Sequence, residues 1–191
     1  MLAAGASSRM RGRDKLLEPV GDVPLLRRVL QRACDSGADV FVTLPPDAAD
    51  RASICDGLPV TPVLVPTARD GMAESVRAGV NALPLCDAFM LMLADMPDIE
   101  TDDLRALMAA RMAHPGAKVW RAATAAGAPG HPILCDAALR PGFASLTGDS
   151  GGDTVIRAYA AETHLVRLSD DRARHDLDTP EDWAAWRAKN P

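Results

Sequence analysis

Residues 88–97 read AFMLMLADMP. From Ala88 to Ala94 the run is almost wholly apolar, as a strand must be when both faces of a parallel sheet are covered. Asp95 ends it, and Met96 and Pro97 turn the chain away. Ligands of open α/β sheets gather at the carboxyl ends of the strands, so Asp95 is predicted at the ligand end. A carboxylate there suits Mg²⁺, which prefers oxygen ligands and often shares them with phosphates. A turn or helix-capping aspartate is the plain alternative, and Asp98 reads as that kind of residue.

Outward from this strand, helix-like and strand-like stretches alternate. Pro24 to Ala38 places Leu25, Leu26, Val29 and Leu30 at helical spacing, with Gly37 as a stop. Asp39 to Leu44 reads as a strand, Asp47 to Cys55 as a short helix and Pro62 to Val65 as a short strand. Gly71 to Leu83 is helical through Met72, Val76, Val80 and Leu83. Thr101 to Met112 is a helix with Thr101 as candidate N-cap. Lys118 to Ala122 and Pro132 to Cys135 read as strands, Gly152 to Ala160 as a helix, His164 to Leu168 as a strand and Pro180 to Ala188 as a closing helix. The alternation predicts an α/β fold with a mainly parallel sheet, built as one domain over residues 1–191.

The chain has 191 residues, 48% hydrophobic and 25% charged, with net charge -5. That is ordinary globular composition, and the acidic balance argues against a general nucleic-acid binder. Cys34, Cys55, Cys86 and Cys135 form no C-x-x-C pair and read as reduced, mostly buried thiols. With no signal-like segment and no bilayer-length apolar run, this predicts a cytoplasmic protein with no membrane partner.

The N-terminus, MLAAGASSRMRGRDK, reads as the end of a strand, a small-residue turn and a basic loop. Ala4, Gly5, Ala6, Ser7 and Ser8 leave backbone N–H groups open to close approach. Arg9, Arg11, Arg13 and Lys15 follow within one loop. Exposed N–H groups beside clustered cations suit a polyphosphate. A Walker loop is excluded because Gly12 is followed by Arg13 and Asp14. The dinucleotide fingerprint is excluded because Gly5 is followed by Ala6, Ser7, Ser8, Arg9 and Met10. An arginine-rich surface turn is the plain alternative. The first strand has only about three residues before the turn, against a usual ~5–6. Either the true start lies upstream of Met1 or the strand is short.

A second acidic cluster is His175-Asp176-Leu177-Asp178-Thr179-Pro180-Glu181-Asp182. Leu177 alternates with Asp176 and Asp178, as in a short strand with both carboxylates on one face. Thr179, Pro180, Glu181 and Asp182 fit a helix start. Helix capping leaves Asp178 unexplained, and it is read as the second metal ligand beside Asp95.

These segments resemble the nucleotidyltransferases of molybdenum cofactor maturation, most closely the cytidylyltransferase branch. LAAGASSRM with Lys15-Leu16-Leu17 resembles the family's nucleotide loop, and GMAESVRAGV (Gly71 to Val80) its base- and ribose-proximal segment. LADMP (Leu93 to Pro97) and DLDTPED (Asp176 to Asp182) resemble its metal motifs. GHPILC (Gly130 to Cys135) and LTGDSGG (Leu146 to Gly152) resemble its substrate-side segments. The resemblance covers nearly the whole chain in order. Two departures stand out: the Arg9 to Lys15 spacing is one residue longer than usual, and Asp153 stands where the family often carries Arg after the LTGDSGG-like segment.

The resemblance implies a three-layer α/β/α sandwich of the nucleotide-diphospho-sugar-transferase type. It implies Mg²⁺-dependent transfer of CMP from CTP to molybdopterin, a phosphorylated small-molecule acceptor, with release of pyrophosphate. Leu2, Ala3, Ala4, Gly5, Lys15, Gly71 and Ser75 would bind the nucleotide. Arg9 and Lys15 would hold the triphosphate, and Asp95 and Asp178 the metal. A recipient molybdoenzyme of the xanthine dehydrogenase type is the implied partner. Since the second pKa of a phosphate monoester is near ~6, no general base is needed, and His131 and His175 read as shape or hydrogen-bonding residues. Asp153 keeps a sugar or polyol phosphate acceptor open, and a non-enzymatic cofactor-insertion partner is the other alternative.

Overall fold

Leu2 joins the two halves of the sheet. In the computed structural model, which describes residues 1–148 and 152–190, its N–H donates to Met92 O at 2.8 Å and its C=O accepts from Ala94 N–H at 3.2 Å. On the other side Thr43 N–H donates to Met1 O at 3.0 Å, and Ala3 N–H to the Thr43 hydroxyl at 3.3 Å. Both bridges at Leu2 are parallel. The order across the sheet is therefore β4 (Val60–Leu64), β3 (Val40–Leu44), residues 1–3, β5 (Ala88–Leu91), β7 (Pro129–Asp136), β6 (Val119–Ala123) and β8 (Thr163–Arg167). Among the described residues, only β7 runs antiparallel to its neighbours in this sheet. A separate hairpin, β1 (Pro19–Val20) and β2 (Val23–Pro24), precedes the first helix.

Two helical layers cover the sheet. On one face α1 (Leu25–Asp35), α4 (Thr101–Ala113) and α7 (Pro180–Lys189) bury Leu26, Leu30, Leu104, Leu107 and Trp183. On the other, α3 (Met72–Ala82), α5 (Arg140–Ala144) and α6 (Asp153–Ala158) bury Val76, Val80, Phe143 and Ile156. The interior strands divide their side chains between the two cores with the period of two that a pleat imposes. Phe89 and Leu91 face the second core, whereas Ala88 and Met90 pack on the first. Full burial of one such large side chain stabilises the fold by roughly 1.5–3 kcal/mol. A six-residue helix, α2 (Ala49–Ile54), links β3 to β4.

The structure moves several predicted boundaries. β5 ends at Leu91, and residues 92–94 meet the sheet only through Leu2. Thr101 is not the cap of α4. Glu100 takes that place in a capping box with Asp103, and the Thr101 hydroxyl donates to Arg32 O at 3.0 Å. Residues 176–178 are not a strand; Leu177 N–H donates to Asp95 O at 3.0 Å and no ladder forms. No helix among the described residues is long and apolar enough to cross a membrane.

A cavity of about 560 Å³ lies near the amino ends of the strands, lined by Met1, Val40, Ala88, Val80, Leu83 and Met108. It holds none of the carboxylates singled out above, which lie at the other end of the sheet.

Candidate active site

Asp95 follows the bridge at Leu93 and lies beyond the carboxyl end of β5. The segment 175–178 reaches it from the far end of the chain and is held there by three contacts. Leu177 N–H donates to the Asp95 carbonyl, His175 Nδ1 lies 2.6 Å from Asp98 Oδ2, and Trp186 Nε1 donates to Asp98 Oδ1 at 2.8 Å. Asp98 thus ties the Asp95 turn to the closing segment, and His175 is a hydrogen-bonding residue. A fourth support comes from β7. A Cβ on Gly130 would lie 1.9 Å from Ala173 O, so only glycine lets the turn at 172–174 come this close.

These supports bring Asp95, Asp176 and Asp178 together, each offering one oxygen within 4.8 Å of the others. Asp176 joins the two carboxylates predicted from sequence, and its alternation with Asp178 is the signal that points to it. Lys15 Nζ lies between the other two carboxylates, donating to Asp95 Oδ2 and, at 2.6 Å, to Asp178 Oδ1. Arg9 Nη2 lies 2.8 Å from Asp178 Oδ2. Of the four loop cations, only Arg9 and Lys15 meet the carboxylates. Arg11 pairs with Glu181 at 2.5 Å and Arg13 with Glu18 at 3.0 Å.

The charges respond to this crowding. Burial lowers the Lys15 pKa, but the charges of Asp95 and Asp178 more than offset it, so the group is raised above its ordinary value and stays protonated. Burial raises Asp178, yet the hydrogen bond and charge of Lys15 hold it below the usual carboxylate range. Asp176 is pushed up, first by burial and then by its hydrogen bond with Asp178. Asp95 Oδ1 is buried and, among the described residues, has no hydrogen-bond partner. A buried unpaired carboxylate oxygen is costly unless a cation or donor reaches it. The donor set fits a hard divalent ion, with three carboxylates and one oxygen unsatisfied.

The loop residues divide into two groups. The main-chain groups of Leu2 and Ala3 are committed to the sheet, and Ala3 O accepts from Arg51. Gly5 and Ala6 are exposed. A Cβ on Gly5 would meet nothing within 4 Å, so the chain itself does not require glycine there. Gly71, at φ 125°, precedes α3 in a conformation that other residues rarely adopt. Gly79 of α3 packs on Thr43, and buried Ser75, one turn earlier on the same face, is directed to the same side of the sheet.

Beyond the LTGDSGG-like segment, Asp153 opens α6 and lies 3.5 Å from Arg121 Nη2. Arg121 Nε donates to Gly130 O at 2.8 Å. Burial first, then the Arg121 charge, lowers the pKa of His131 and keeps it neutral near pH 7. Residues 149–151 of the LTGDSGG segment lie outside the described residues.

Comparison with known proteins bears on the fold and the family. A nicotine blue oxidoreductase of Paenarthrobacter nicotinovorans is 27% identical over 191 residues, covering 95% of this chain and 91% of the relative. The crystal structure of a Mycobacterium tuberculosis Rv0371c homologue from Mycobacterium sp. strain JC1 superposes with TM-score 0.85 at 29% identity, over 98% of this chain and 93% of that one. Rv0371c of Mycobacterium tuberculosis H37Rv in complex with manganese superposes at 0.75 with 26% identity, over 96% and 93%. The architecture is the nucleotide-diphospho-sugar-transferase-like sandwich. The family model described as the MobA-like NTP transferase domain matches residues 1–164, from the small-residue loop through the Asp95 turn to β8, and the chain belongs to that family.

Proposed function

We propose that this chain, acting as one nucleotidyltransferase unit over residues 1–191, transfers CMP from CTP to molybdopterin and releases pyrophosphate. The observation that carries the nucleotidyl chemistry is the Asp95, Asp176 and Asp178 cluster with Lys15 and Arg9 against it. Carboxylates and cations at the ligand end of a sheet are what a reaction between two phosphates needs, since its barrier is largely charge repulsion and misorientation. The choice of CTP and molybdopterin rests on the resemblance of Leu2 to Gly5 and Gly71 to Val80 to the cytidylyl branch.

In the proposed reaction an oxygen of the acceptor phosphate attacks the α-phosphorus of CTP. A new P–O bond forms, the bond to the bridging oxygen breaks, and that oxygen leaves with the pyrophosphate electron pair. Arg9 and Lys15 turn from the carboxylates to the triphosphate and neutralise the departing pyrophosphate. Their side chains are long enough to swing, and Lys15 stays protonated to do it. Exposed Gly5 and Ala6 offer backbone amides to phosphate or base. Asp95 and Asp178, with Asp176 beside them, would hold Mg²⁺, which when bound supplies Lewis-acid neutralisation of phosphate charge. Neutral His131 contributes shape rather than charge. Such a protein works in the cytoplasm and hands its product to a molybdoenzyme of the xanthine dehydrogenase type.

Asp153 against Arg121 favours one second reading, the same transfer to a sugar or polyol phosphate whose hydroxyls Asp153 accepts from. The deciding experiment incubates the protein with Mg²⁺ and either CTP or GTP, against molybdopterin and a panel of sugar and polyol phosphates, and measures pyrophosphate and the nucleotidylated product. Release that needs CTP and molybdopterin is expected. Equal or better turnover with GTP removes the cytidylyl assignment, and no release with any pair removes the transferase reading. Asp95→Asn or Asp178→Asn should lower turnover by about 10²–10³ in a folded protein.

A further inference from the structure

Arg51 lies on the short helix α2, outside the motifs of the site, and is only 4% exposed. A guanidinium carries five N–H donors fixed in one plane. Here each has an acceptor, and all of them come from the N-terminal loop. Nε donates to Asp14 Oδ2 at 2.6 Å, and Nη2 to Asp14 Oδ1 at 2.9 Å and Ser7 Oγ at 3.2 Å. Nη1 donates to Ala3 O at 2.7 Å and Gly5 O at 2.8 Å. One rigid side chain therefore fixes the loop at residues 3, 5, 7 and 14.

The two carbonyl contacts orient the neighbouring amides. A trans peptide is planar, so the C=O of one residue and the N–H of the next point in opposite directions. With Ala3 O and Gly5 O drawn inward to Arg51, the N–H groups of Ala4 and Ala6 are turned to the opposite side of the loop. Among the described residues neither N–H has an acceptor. The loop also carries Ser7 at φ 51°, a conformation a non-glycine residue keeps only when its surroundings hold it. Ser7 Oγ accepts from Lys15 N–H at 3.3 Å and donates to Asp14 Oδ1 at 3.2 Å. The network therefore runs from Arg51 to the residue that stands between Asp95 and Asp178.

We infer that Arg51 is a positioning residue for the nucleotide, setting the direction of the Ala4 and Ala6 amides and the starting point of Lys15. This rests on the nucleotidyltransferase reading. Simple docking of α2 needs no such residue, because an apolar side chain would bury as well without five acceptors. Lysine is no substitute, since an ammonium is a compact point donor and cannot span contacts arranged around a plane.

The test compares the wild type with Arg51→Lys and with Asp14→Asn, which keeps Arg51 but removes the charge of its paired carboxylate. Hydrogen–deuterium exchange is followed for residues 10–16, where the Met10, Lys15 and Leu16 amides are bonded to Ser7 and Asp14, and, as a folding control, for β3 and α1. KM for CTP and kcat are measured on the same samples. Faster exchange confined to the loop is expected, with KM raised about tenfold or more and kcat within about threefold. A residue that merely stabilises the fold would instead lower the active fraction, and so kcat, at unchanged KM. Folded variants with wild-type loop exchange and wild-type KM overturn the role of Arg51. If the wild type neither turns over nor gains loop protection with CTP or GTP, the nucleotidyltransferase reading falls, while loop exchange in the variants still decides whether Arg51 orders the loop.

Discussion

At the residue scale, Gly5 is a position where the fold itself does not require glycine. It has no positive φ, and a Cβ there enters open space. Gly5→Val should therefore leave the melting temperature within about 2 °C of wild type, as expected of surface substitutions worth less than ~0.5 kcal/mol. On the proposed function it should weaken binding of a nucleoside triphosphate at least tenfold, because the added methyl groups would crowd the proposed nucleotide loop. Calorimetry of both quantities checks this; a stable variant with unchanged affinity would remove Gly5 from the binding loop. The meeting of Lys15 with Asp95 and Asp178 is legible in sequence because each carboxylate ends a recognisable apolar stretch and Lys15 ends the basic loop. Arg51 is not, since an arginine in a six-residue helix reads as a solvated surface residue and nothing local reveals the five acceptors around it. Asp176 is half-legible, its partnership with Asp95 depending on a contact 81 positions away (176 − 95).

At the scale of elements, periodicity locates the main helices and strands to within a few residues but says nothing about strand direction. β7 carries the continuous apolar run Pro132 to Cys135 that a buried parallel strand would show, and its antiparallel course becomes visible only through its pairing with β5 and β6. The two-residue strands of the β1–β2 hairpin are too short to carry a pattern. The turn at 172–174, which leads into the carboxylate segment, is likewise set by contacts. Arg172 binds Asp170 through Nε at 2.9 Å and Nη2 at 2.7 Å, and reaches Asp103 of α4 at 3.4 Å. The side-chain hydrogen bond from Arg172, followed by its backbone N–H, lowers the Asp170 pKa from 3.8 to about 2. A depressed carboxylate stabilises the folded state above its unfolded pKa, and that contribution is lost as pH falls from about 4 through about 2. Asp170→Asn should thus flatten the loss of stability over that window. At neutral pH it should cost no more than about 1 kcal/mol, because the pair is half-exposed and screened. Urea midpoints at pH 5, 4, 3 and 2 test this, and parallel acid limbs in wild type and variant would show that the pair contributes nothing.

At the scale of the whole molecule, the site joins the two ends of the chain. Arg9 and Lys15 come from the N-terminal loop, Asp95 from the middle, and Asp176 and Asp178 from the segment just before the last helix. Without ligands the two sets neutralise each other, so each ligand alone meets an obstacle. A triphosphate that draws Lys15 and Arg9 away leaves carboxylates crowded without counter-charge. A divalent ion that takes the carboxylates leaves Lys15 half-buried without a partner. Bound together, the two ligands restore a partner to every charge. Metal and nucleotide are therefore expected to bind with positive coupling of about 1–3 kcal/mol. A ligand at a hundred times its Kd adds about 2.7 kcal/mol to stability, and a chain of this size gains about 2–4 °C per kcal/mol. Thermal melts with Mg²⁺ alone, with CTP in EDTA, and with both should show a joint shift exceeding the sum of the separate shifts by at least about 2 °C. Lys15→Met should reduce that excess, because it removes the charge that has to be exchanged. Strictly additive shifts in the wild type would mean that Lys15 does not move from the carboxylates when nucleotide binds, and the proposed charge exchange would have to be abandoned.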